Sequence, residues 1–223
     1  MNIIAFILTT EKLTHVRPPR RQRKGLQTPN PEVRQRLMDA AAELINEGGY
    51  NALRIEEIAA RADLSVGTFY LYFDGKPDLF VNLVEDYTDR LRERLLSAGG
   101  GGSSTEQLTR SLDAYLDFVE ENEKAFVHFV RASGSMQTNQ GPLSTWALNS
   151  HAADVQPGLE EAIRRGEVRA INPVLASQAI IGLTQHLVVF WLEHKDVCSR
   201  EGLKEFLLSF VGYGIGARGA QVI

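Results

Sequence analysis

The sequence holds a single cysteine, Cys198, so no disulfide can form within the chain, and we expect a reducing, cytoplasmic setting. None of the five histidines falls at a spacing that zinc sites use, and the sequences HExxH and GxSxG do not occur. The glycine run at 99–102 lacks the lysine and hydroxyl residue of a phosphate-binding loop. We therefore expect no metal, no cofactor and no enzymatic activity, and we keep an enzyme only as a distant alternative.

The chain has few features of a membrane protein or of a β-sheet. Residues 3–8 form a short apolar run, whereas a membrane span needs about 20 residues, and no basic residue precedes the run as in a secretory signal. A longer apolar stretch at 174–192 is interrupted by polar residues such as Gln178 and Thr184. No alternating strand pattern of useful length and no internal repeat occur. We expect an all-α protein that does not cross a membrane.

The net charge of −4 is unevenly distributed along the chain. Residues 1–30 hold six Lys or Arg side chains against the single Glu11, whereas the rest of the chain is acidic. An acidic protein is a poor ligand for nucleic acid, but a concentrated basic segment can still meet phosphates. We therefore expect a flexible basic arm whose candidate DNA contacts are Arg20, Arg21 and Arg23.

Residues 55–76 carry the most informative pattern in the chain. Apolar residues recur at helical spacing from Ile55 to Ala62, and Asp63 follows where the chain must reverse. Aspartate tolerates the left-handed conformation that such a reversal requires. Ser65 can then cap a second short helix through its hydroxyl. Two short helices joined by a tight turn are typical of a DNA-reading motif, although a plain helical hairpin would give the same pattern.

Three segments of this region carry a more specific pattern, which reads RQRLMDAAAELINEGGY, then LRIEEIAARADLS, then VGTFYLYFDGKPDLF. The most specific part is the run Gly67-Thr68-Phe69-Tyr70-x-Tyr72-Phe73-x-x-Lys76, which joins aromatic side chains, a hydroxyl and a lysine at fixed offsets. On these residues the stretch 31–80 resembles the DNA-binding domain of the TetR family of bacterial transcriptional regulators. The rest of the chain resembles that family only in its helical layout.

The resemblance implies a division into domains. After a flexible basic N-terminal arm at 1–30, it places an N-terminal three-helix helix-turn-helix DNA-binding domain at 31–80 and a larger C-terminal helical ligand-binding and dimerisation domain at 81–223. The protein would be a sequence-specific DNA-binding transcriptional regulator, namely a dimeric repressor that a small-molecule ligand releases from a pseudo-palindromic operator. Three alternatives stay open: an activator, a constitutive DNA binder without a ligand, and a small-molecule-binding helical protein without DNA regulation.

The resemblance also implies roles for side chains of the reading helix. Positions that usually contact phosphates correspond here to Thr68, Tyr70, Lys76 and, as a further candidate, Tyr72. Positions that usually face base edges correspond to Val66, Gly67 and Leu71. We expect Phe69 and Phe73 to lie in the core instead. For the two tyrosines, the alternative is amphipathic packing with the hydroxyl left in water.

Two residues of the predicted DNA-contact set depart from the family pattern, while Ser65 fits it. Arg54 stands where many relatives have a Thr or Ser that caps a helix and touches phosphate. Arginine can reach a phosphate, but it cannot cap as threonine does. Val66 stands where a polar or basic residue is common. Because Val66 and Leu71 have no hydrogen-bonding groups, they can read only thymine methyl groups or DNA shape.

Capping and helix-breaking residues predict where the helices begin and end. We expect starts or caps at Asn30-Pro31, Asn122, Asn172-Pro173 and Ser199, and turns at Gly48-Gly49 and Asp74-Gly75. Residues 99–104, which are glycine and serine, form a predicted flexible connection. The predicted helices after residue 75 span 76–97, 105–121, 122–131, 142–165, 172–195 and 199–214. Pro157-Gly158 lies inside one of them, where we expect a kink or a break.

The last two predicted helices indicate self-association. Residues 174–192 are apolar almost all round, and such a helix must be covered on every side. The final helix carries a second apolar stripe at helical spacing. A second subunit is the expected cover, and the resemblance implies the same four-helix interface. The predicted interface residues are Ile181, Val188, Trp191, Leu203, Phe206, Leu207 and Phe210. A fully buried central helix in a monomer is the alternative, and a transmembrane helix is a poorer one.

A ligand pocket in the second domain is implied by the resemblance alone. Its candidate lining residues are Phe118, Phe126, Phe129, Trp146, His151, Gln185 and His186. Their aromatic content favours an unidentified small apolar or aromatic ligand. Each of them could equally be a core residue, since buried polar groups such as Gln185 must find partners of some kind.

Overall fold

The computed structural model describes residues 30–98, 104–134, 136–138 and 141–215. Within these ranges the secondary structure is helical apart from two strands of two residues each, so the predicted all-α class is confirmed. The elements in order are α1 Pro31–Ala52, α2 Ile55–Arg61, α3 Val66–Tyr72, α4 Lys76–Ala98, α5 Ser104–Glu121, α6 Glu123–Ser133, β1 Gln137–Thr138, β2 Gly141–Pro142, α7 Leu143–Arg164, α8 Pro173–Glu193 and α9 Arg200–Ile215. The two strands pair in antiparallel orientation.

The described residues divide into two compact units. Those from 30 to 89 and from 122 to 144 form the first, which we call the N-terminal unit. Those from 90 to 121 and from 145 to 215 form the second, the C-terminal unit. α4 therefore contributes residues to both units, and α6 belongs with the helices of the DNA-reading motif. The predicted functional boundary near residue 80 stays a prediction.

Helix α1 begins where the sequence predicts and ends in a less regular way. The Asn30 side chain accepts a hydrogen bond of 2.9 Å from the Glu32 amide, and Pro31 occupies the first turn. Helical structure extends to Ala52, but Gly49 interrupts it with φ 74° and ψ 173°. This backbone conformation is essentially restricted to glycine, which explains why the predicted stop signal falls there.

Aromatic rings fill the centre of the N-terminal unit and join α1, α4 and α6. The ring of Phe80 lies 4.7 Å from that of Tyr50 and 5.5 Å from that of Phe129. The ring of Tyr87 lies 5.4 Å from Phe129 and 6.3 Å from Phe126. The first three pairs pack edge to face and the fourth is tilted, and aromatic pairs of this kind stabilise the fold beyond the burial of their area. α6 is thus a structural part of this unit.

Ion pairs and an indole hydrogen bond hold the C-terminal unit together. Lys204 of α9 lies 3.0 Å from the Asp113 carboxylate of α5, and Arg200 lies 2.5 Å from that of Asp117. The indole of Trp191 donates to the Cys198 carbonyl at 3.1 Å, which fixes the connection between α8 and α9. Leu112 and Leu116 of α5 and Leu203 and Leu207 of α9 are buried.

In the second half of the chain, the break expected at Pro157 does not occur, while Asn122 lies at the predicted start of a helix. α7 runs without a break from Leu143 to Arg164 with Pro157 inside it. A proline removes one backbone donor, and a helix whose following turn is packed can continue past it; Leu159 and Ala162 are buried. Asn122 precedes α6 but makes no side-chain capping bond. Asn172 does cap α8, since it accepts from the amides of Val174 and Leu175.

Candidate nucleic-acid interface

The turn between α2 and α3 has the geometry that the sequence predicts. Asp63 has φ 52°, the left-handed conformation expected at this position. The Leu64 amide closes the turn on the Ala59 carbonyl at 2.8 Å. From α1, the Arg36 guanidinium donates to the Ala62 carbonyl, so it occupies an acceptor at the end of α2. The angle between the two short helices is therefore fixed by backbone and side-chain bonds together.

Helix α3 is capped by Ser65, as predicted. The Ser65 hydroxyl accepts from the Thr68 amide at 3.0 Å and lies 2.9 Å from the Thr68 hydroxyl. The cap at the start of α2 differs, because Arg54 there makes no side-chain capping bond. The Arg54 side chain is instead exposed, which is consistent with the predicted reach toward a phosphate.

The two sides of α3 have opposite environments. Phe69 and Phe73 are fully buried with their rings 5.6 Å apart, which confirms their predicted place in the core. On the other side Val66, Tyr70 and Leu71 are 37%, 43% and 47% exposed. A helix that buries one side and leaves its other side accessible can lie in a groove.

Gly67 lies on the accessible side of α3, and packing within the protein does not demand a glycine there. A Cβ built at Gly67 would meet only the Ser65 hydroxyl, at an ordinary contact distance of 3.5 Å. Its missing side chain leaves the backbone open to close approach from outside.

Two of the predicted phosphate contacts have partners within the protein. The Tyr72 hydroxyl accepts a hydrogen bond of 3.1 Å from the Asn30 amide, at the start of α1. The Lys76 ammonium donates to the Leu53 carbonyl at 3.1 Å and lies 4.4 Å from the centre of the Tyr50 ring. An ammonium group has three donors, so this arrangement positions Lys76 and leaves it further hydrogen-bonding capacity. Contact of either residue with DNA stays a prediction, and the predicted arm contacts Arg20, Arg21 and Arg23 lie outside the described residues.

An exposed ion-pair cluster ties α2 to α1 behind the reading helix. The Arg61 guanidinium makes two parallel bonds to the Glu47 carboxylate, of 2.6 and 3.1 Å, and a longer one to Glu43. Hydrogen bonding to Arg61 holds the pKa of the Glu47 carboxyl below its ordinary value. Because the pair is exposed to solvent, it orients the helix more than it stabilises the fold.

The predicted subunit interface needs correction at four of its seven residues. Val188, Trp191, Leu203 and Leu207 are buried within a single chain, so they are core residues and cannot meet a partner's surface. Ile181 is partly buried. Apolar periodicity could not separate inner from outer positions, because α8 is apolar on every side.

The outer surface of α8 and α9 is nevertheless strongly apolar. Phe206 and Phe210 are exposed and stack on each other with ring centres 5.6 Å apart. The other exposed large apolar side chains of α8 and α9 are Val174, Leu175, Phe190 and Tyr213. Among the described helices α8 is also the one long and apolar enough to cross a membrane by length and composition, and little of it is buried within the chain.

The predicted pocket residues belong to different units, and a pocket that they line stays a prediction. Phe126 and Phe129 belong to the aromatic core of the N-terminal unit, where they contact Tyr87. Phe118 is buried on α5, Gln185 is partly buried on α8, and His186 is exposed. His151 lies on α7, as does Trp146, whose side chain lies outside the described residues. Phe126 and Phe129 are thus residues of the N-terminal unit, and the other candidates are residues of the C-terminal unit.

Sequence reasoning missed a polar cluster in the C-terminal unit. Arg92 of α4 donates to one carboxylate oxygen of Asp154 at 2.8 and 3.0 Å, and to the Ser150 hydroxyl at 3.3 Å. Burial lowers the pKa of the neighbouring His151 to about 4; Asp154 opposes that shift and Arg92 adds to it. Burial likewise raises the pKa of the Tyr115 phenol. Only tertiary structure pairs residues that are 62 positions apart.

The described residues include no group of three or more His, Cys, Asp or Glu side chains placed to hold a metal ion. What the geometry offers is a short capped helix with one buried and one accessible side, held rigidly by α1. Such an arrangement suits reading of a DNA groove.

Comparison with known proteins agrees with this geometry. Residues 37–83 match the family described as "Bacterial regulatory proteins, tetR family". The chain is 29% identical to the HTH-type transcriptional repressor KstR of Rhodococcus jostii over an alignment of 161 residues. This alignment covers 69% of this chain and 74% of KstR. The solved structure of a TetR-family transcriptional regulator from Rhodococcus sp. superposes on this chain with a TM-score of 0.67 and 25% sequence identity. The superposition covers 82% of this chain and 97% of the other chain.

A further solved structure shares the fold over most of the chain. It is the transcriptional regulator FadR from Bacillus subtilis in complex with stearoyl-CoA, with a TM-score of 0.66 and 22% identity, covering 81% of this chain and 98% of its own. The fold is an N-terminal helix-turn-helix domain followed by a larger helical domain. Residues 37–83 therefore carry the DNA-binding domain of the TetR family of bacterial regulatory proteins, and the chain is a DNA-binding regulator of transcription.

Proposed function

We propose that the protein is a homodimeric, cytoplasmic repressor that binds a pseudo-palindromic operator and leaves it when a small molecule binds. Residues 31–80 form the DNA-reading domain, residues 1–30 supply a basic arm, and residues 81–223 carry ligand binding and dimerisation. The observation that carries the proposal is the two-sided environment of α3. Its inner side is locked into the core by Phe69 and Phe73, and its outer side is accessible.

The exposed apolar surface of α8 and α9 supports the dimer. Leaving apolar area in water costs about 25 cal/mol per Å², and monomers rarely carry large patches of it. Phe206, Phe210 and Phe190 are each at least 42% exposed in one chain. Two copies facing each other through these residues would cover that area and present two reading helices to successive major grooves.

The C-terminal unit supports a site for a small apolar or aromatic molecule. Phe118 of α5, His151 of α7 and Gln185 of α8 all belong to this unit, and they would supply an aromatic ring and polar groups to such a site. The FadR regulator of the same fold holds stearoyl-CoA, which makes a long-chain acyl-CoA a reasonable first probe. A ligand releases DNA only if it binds the DNA-free shape more tightly than the DNA-bound shape.

A binding titration with the full chain tests this function. Fluorescence anisotropy with a duplex from the region upstream of the gene would measure affinity, with a shuffled duplex of equal length as control. We expect tight binding to the first duplex only, and weaker binding when the effective ligand is added. A library of acyl-CoA esters and aromatic acids would identify that ligand. Equal affinity for both duplexes would contradict the proposed function, and insensitivity to every ligand would leave a constitutive regulator.

A further inference from the structure

Most polar groups of the reading helix are already engaged within the protein. The hydroxyls of Ser65 and Thr68 lie 2.9 Å from each other, and that of Ser65 also accepts the Thr68 amide. The Tyr72 hydroxyl accepts the Asn30 amide. Lys76 donates to the Leu53 carbonyl from the start of the next helix. These groups fix the position of α3. To hydrogen-bond with DNA bases, they would have to break the bonds that they make within the protein.

What α3 presents outward is apolar apart from one hydroxyl. At about 100° per residue, Val66, Tyr70, Gly67 and Leu71 follow one another over an arc of about 140°. Val66 and Leu71 stand at the two edges of this arc, 37% and 47% exposed. Gly67 lies between Tyr70 and Leu71, where its missing side chain permits close approach. The Tyr70 hydroxyl is the one hydrogen-bonding side-chain group on the arc.

The chemistry of the major groove restricts what such a surface can recognise. Guanine presents two acceptors there, adenine an acceptor and a donor, and cytosine a donor, none of which a valine or leucine can satisfy. Thymine alone presents a methyl group, which projects into the groove. Because a methyl group makes no hydrogen bond with water, contact with an apolar side chain breaks none. Burial of that methyl against an aliphatic side chain is favourable, whereas cytosine at the same place offers no such contact.

We propose that Val66 and Leu71 read thymine methyl groups, so that each half-site of the operator carries A·T pairs at the positions these two side chains cover. The inference rests on the proposed operator binding and names what that site reads. Discrimination at these positions comes from contact between apolar groups, and hydrogen bonds contribute to it little. Gly67 allows the helix to approach closely enough for both contacts.

Replacing thymine by deoxyuridine tests the inference, because it removes only the methyl group and keeps the pairing. The bound duplex is first selected from a random pool with the full chain, and each thymine of one half-site is then replaced in turn. We expect about fourfold weaker binding at each methyl that Val66 or Leu71 contacts, and no change at other thymines. At those same positions, 5-methylcytosine opposite guanine should bind more tightly than cytosine by a similar factor.

Protein variants assign the methyl contacts to side chains. Val66→Ala and Leu71→Ala should each remove the sensitivity to deoxyuridine at one position. Both side chains are exposed, so the fold should persist, and thermal unfolding checks this. Leu108→Ala is the matched control, since Leu108 is 40% exposed on α5, a helix of the C-terminal unit. It should keep the full sensitivity of the wild type.

The outcomes separate this inference from the function on which it rests. A selected operator that binds equally well with deoxyuridine at every position would overturn the methyl reading and leave the regulator intact. Sensitivity that persists unchanged in Val66→Ala and Leu71→Ala would also overturn it, because another group would then contact the methyls. A failure to select any preferred duplex would overturn operator binding itself and the inference with it.

Discussion

The ring of His128 lies against the position that a side chain on Gly49 would occupy. A Cβ built at Gly49 would approach the His128 Cε1 atom to 3.1 Å, and Gly49 already has φ 74°. Both residues belong to the N-terminal unit, in which α6 packs against the end of α1. Two independent requirements therefore place glycine at this position: the backbone conformation and the close approach of the imidazole.

Replacing this glycine should destabilise the N-terminal unit. We expect Gly49→Ala to lower the free energy of unfolding by about 2 kcal/mol or more, because strain and crowding add. Gly166→Ala is the control, since Gly166 has φ 73° but nothing within 4 Å of its Cβ position. Urea unfolding of both variants separates strain from crowding. Equal losses in the two would show that His128 contributes nothing.

The cap of α3 gives a prediction that separates folding from DNA binding. Ser65→Ala removes the bond to the Thr68 amide and should cost about 1 kcal/mol of stability. Ser65→Asp keeps a capping oxygen but places a negative charge beside the DNA, so stability should persist while operator affinity falls sharply. Thermal unfolding and anisotropy titrations measure the two effects. An aspartate variant that binds DNA as tightly as the wild type would place the phosphates elsewhere.

His151 predicts a pH dependence of stability. Its pKa is lowered from 6.5 to about 4 in the folded protein, chiefly by burial. Between these values the unfolded chain holds the proton and the folded chain does not, so stability is lost as pH falls from about 6.5 toward about 4. The loss attributable to this group would be up to about 3 kcal/mol. Denaturant titrations across that range should show the slope in the wild type and a reduced one in His151→Gln; identical slopes would mean that other groups cause it.

The outer surface of α9 predicts how charge would affect assembly. Phe210 is 55% exposed in one chain, whereas Leu207 on the same helix is 2% exposed. Phe210→Asp should therefore split the dimer into folded monomers, and Leu207→Asp should unfold the subunit. Light scattering reports the mass and circular dichroism reports the fold. A Phe210→Asp protein that remains dimeric would exclude this surface as the interface.

Capping and turn signals in the sequence predicted the turn before α3 and the burial of one side of α3 correctly, and the structure explains why. Ser65 as cap, Asp63 in the left-handed region and Phe69 in the core each depend on neighbours within a few residues along the chain. The faces of α8 could not be predicted in the same way, because every side of that helix is apolar. Val188 and Phe190 are both apolar residues of the same apolar helix, yet Val188 is buried and Phe190 is exposed.

Other features depended on contacts between distant segments. Phe126 and Phe129 have the composition of a ligand pocket, but the packing of α6 places them against Tyr87 and Phe80. The bond between Arg92 and Asp154 joins α4 to α7 with no sequence signal at either end. Pro157 is a strong helix breaker in isolation, and burial of the turn that follows allows α7 to continue.

In the proposed complex, two reading helices, one from each subunit, bind one operator together. We would measure the affinity for the selected operator before and after about five base pairs, or half a helical turn, are inserted between the half-sites. We expect two chains per duplex by light scattering, and loss of tight binding in the lengthened duplex because the second helix then faces the wrong side. One chain per duplex, or unchanged affinity after the insertion, would contradict it.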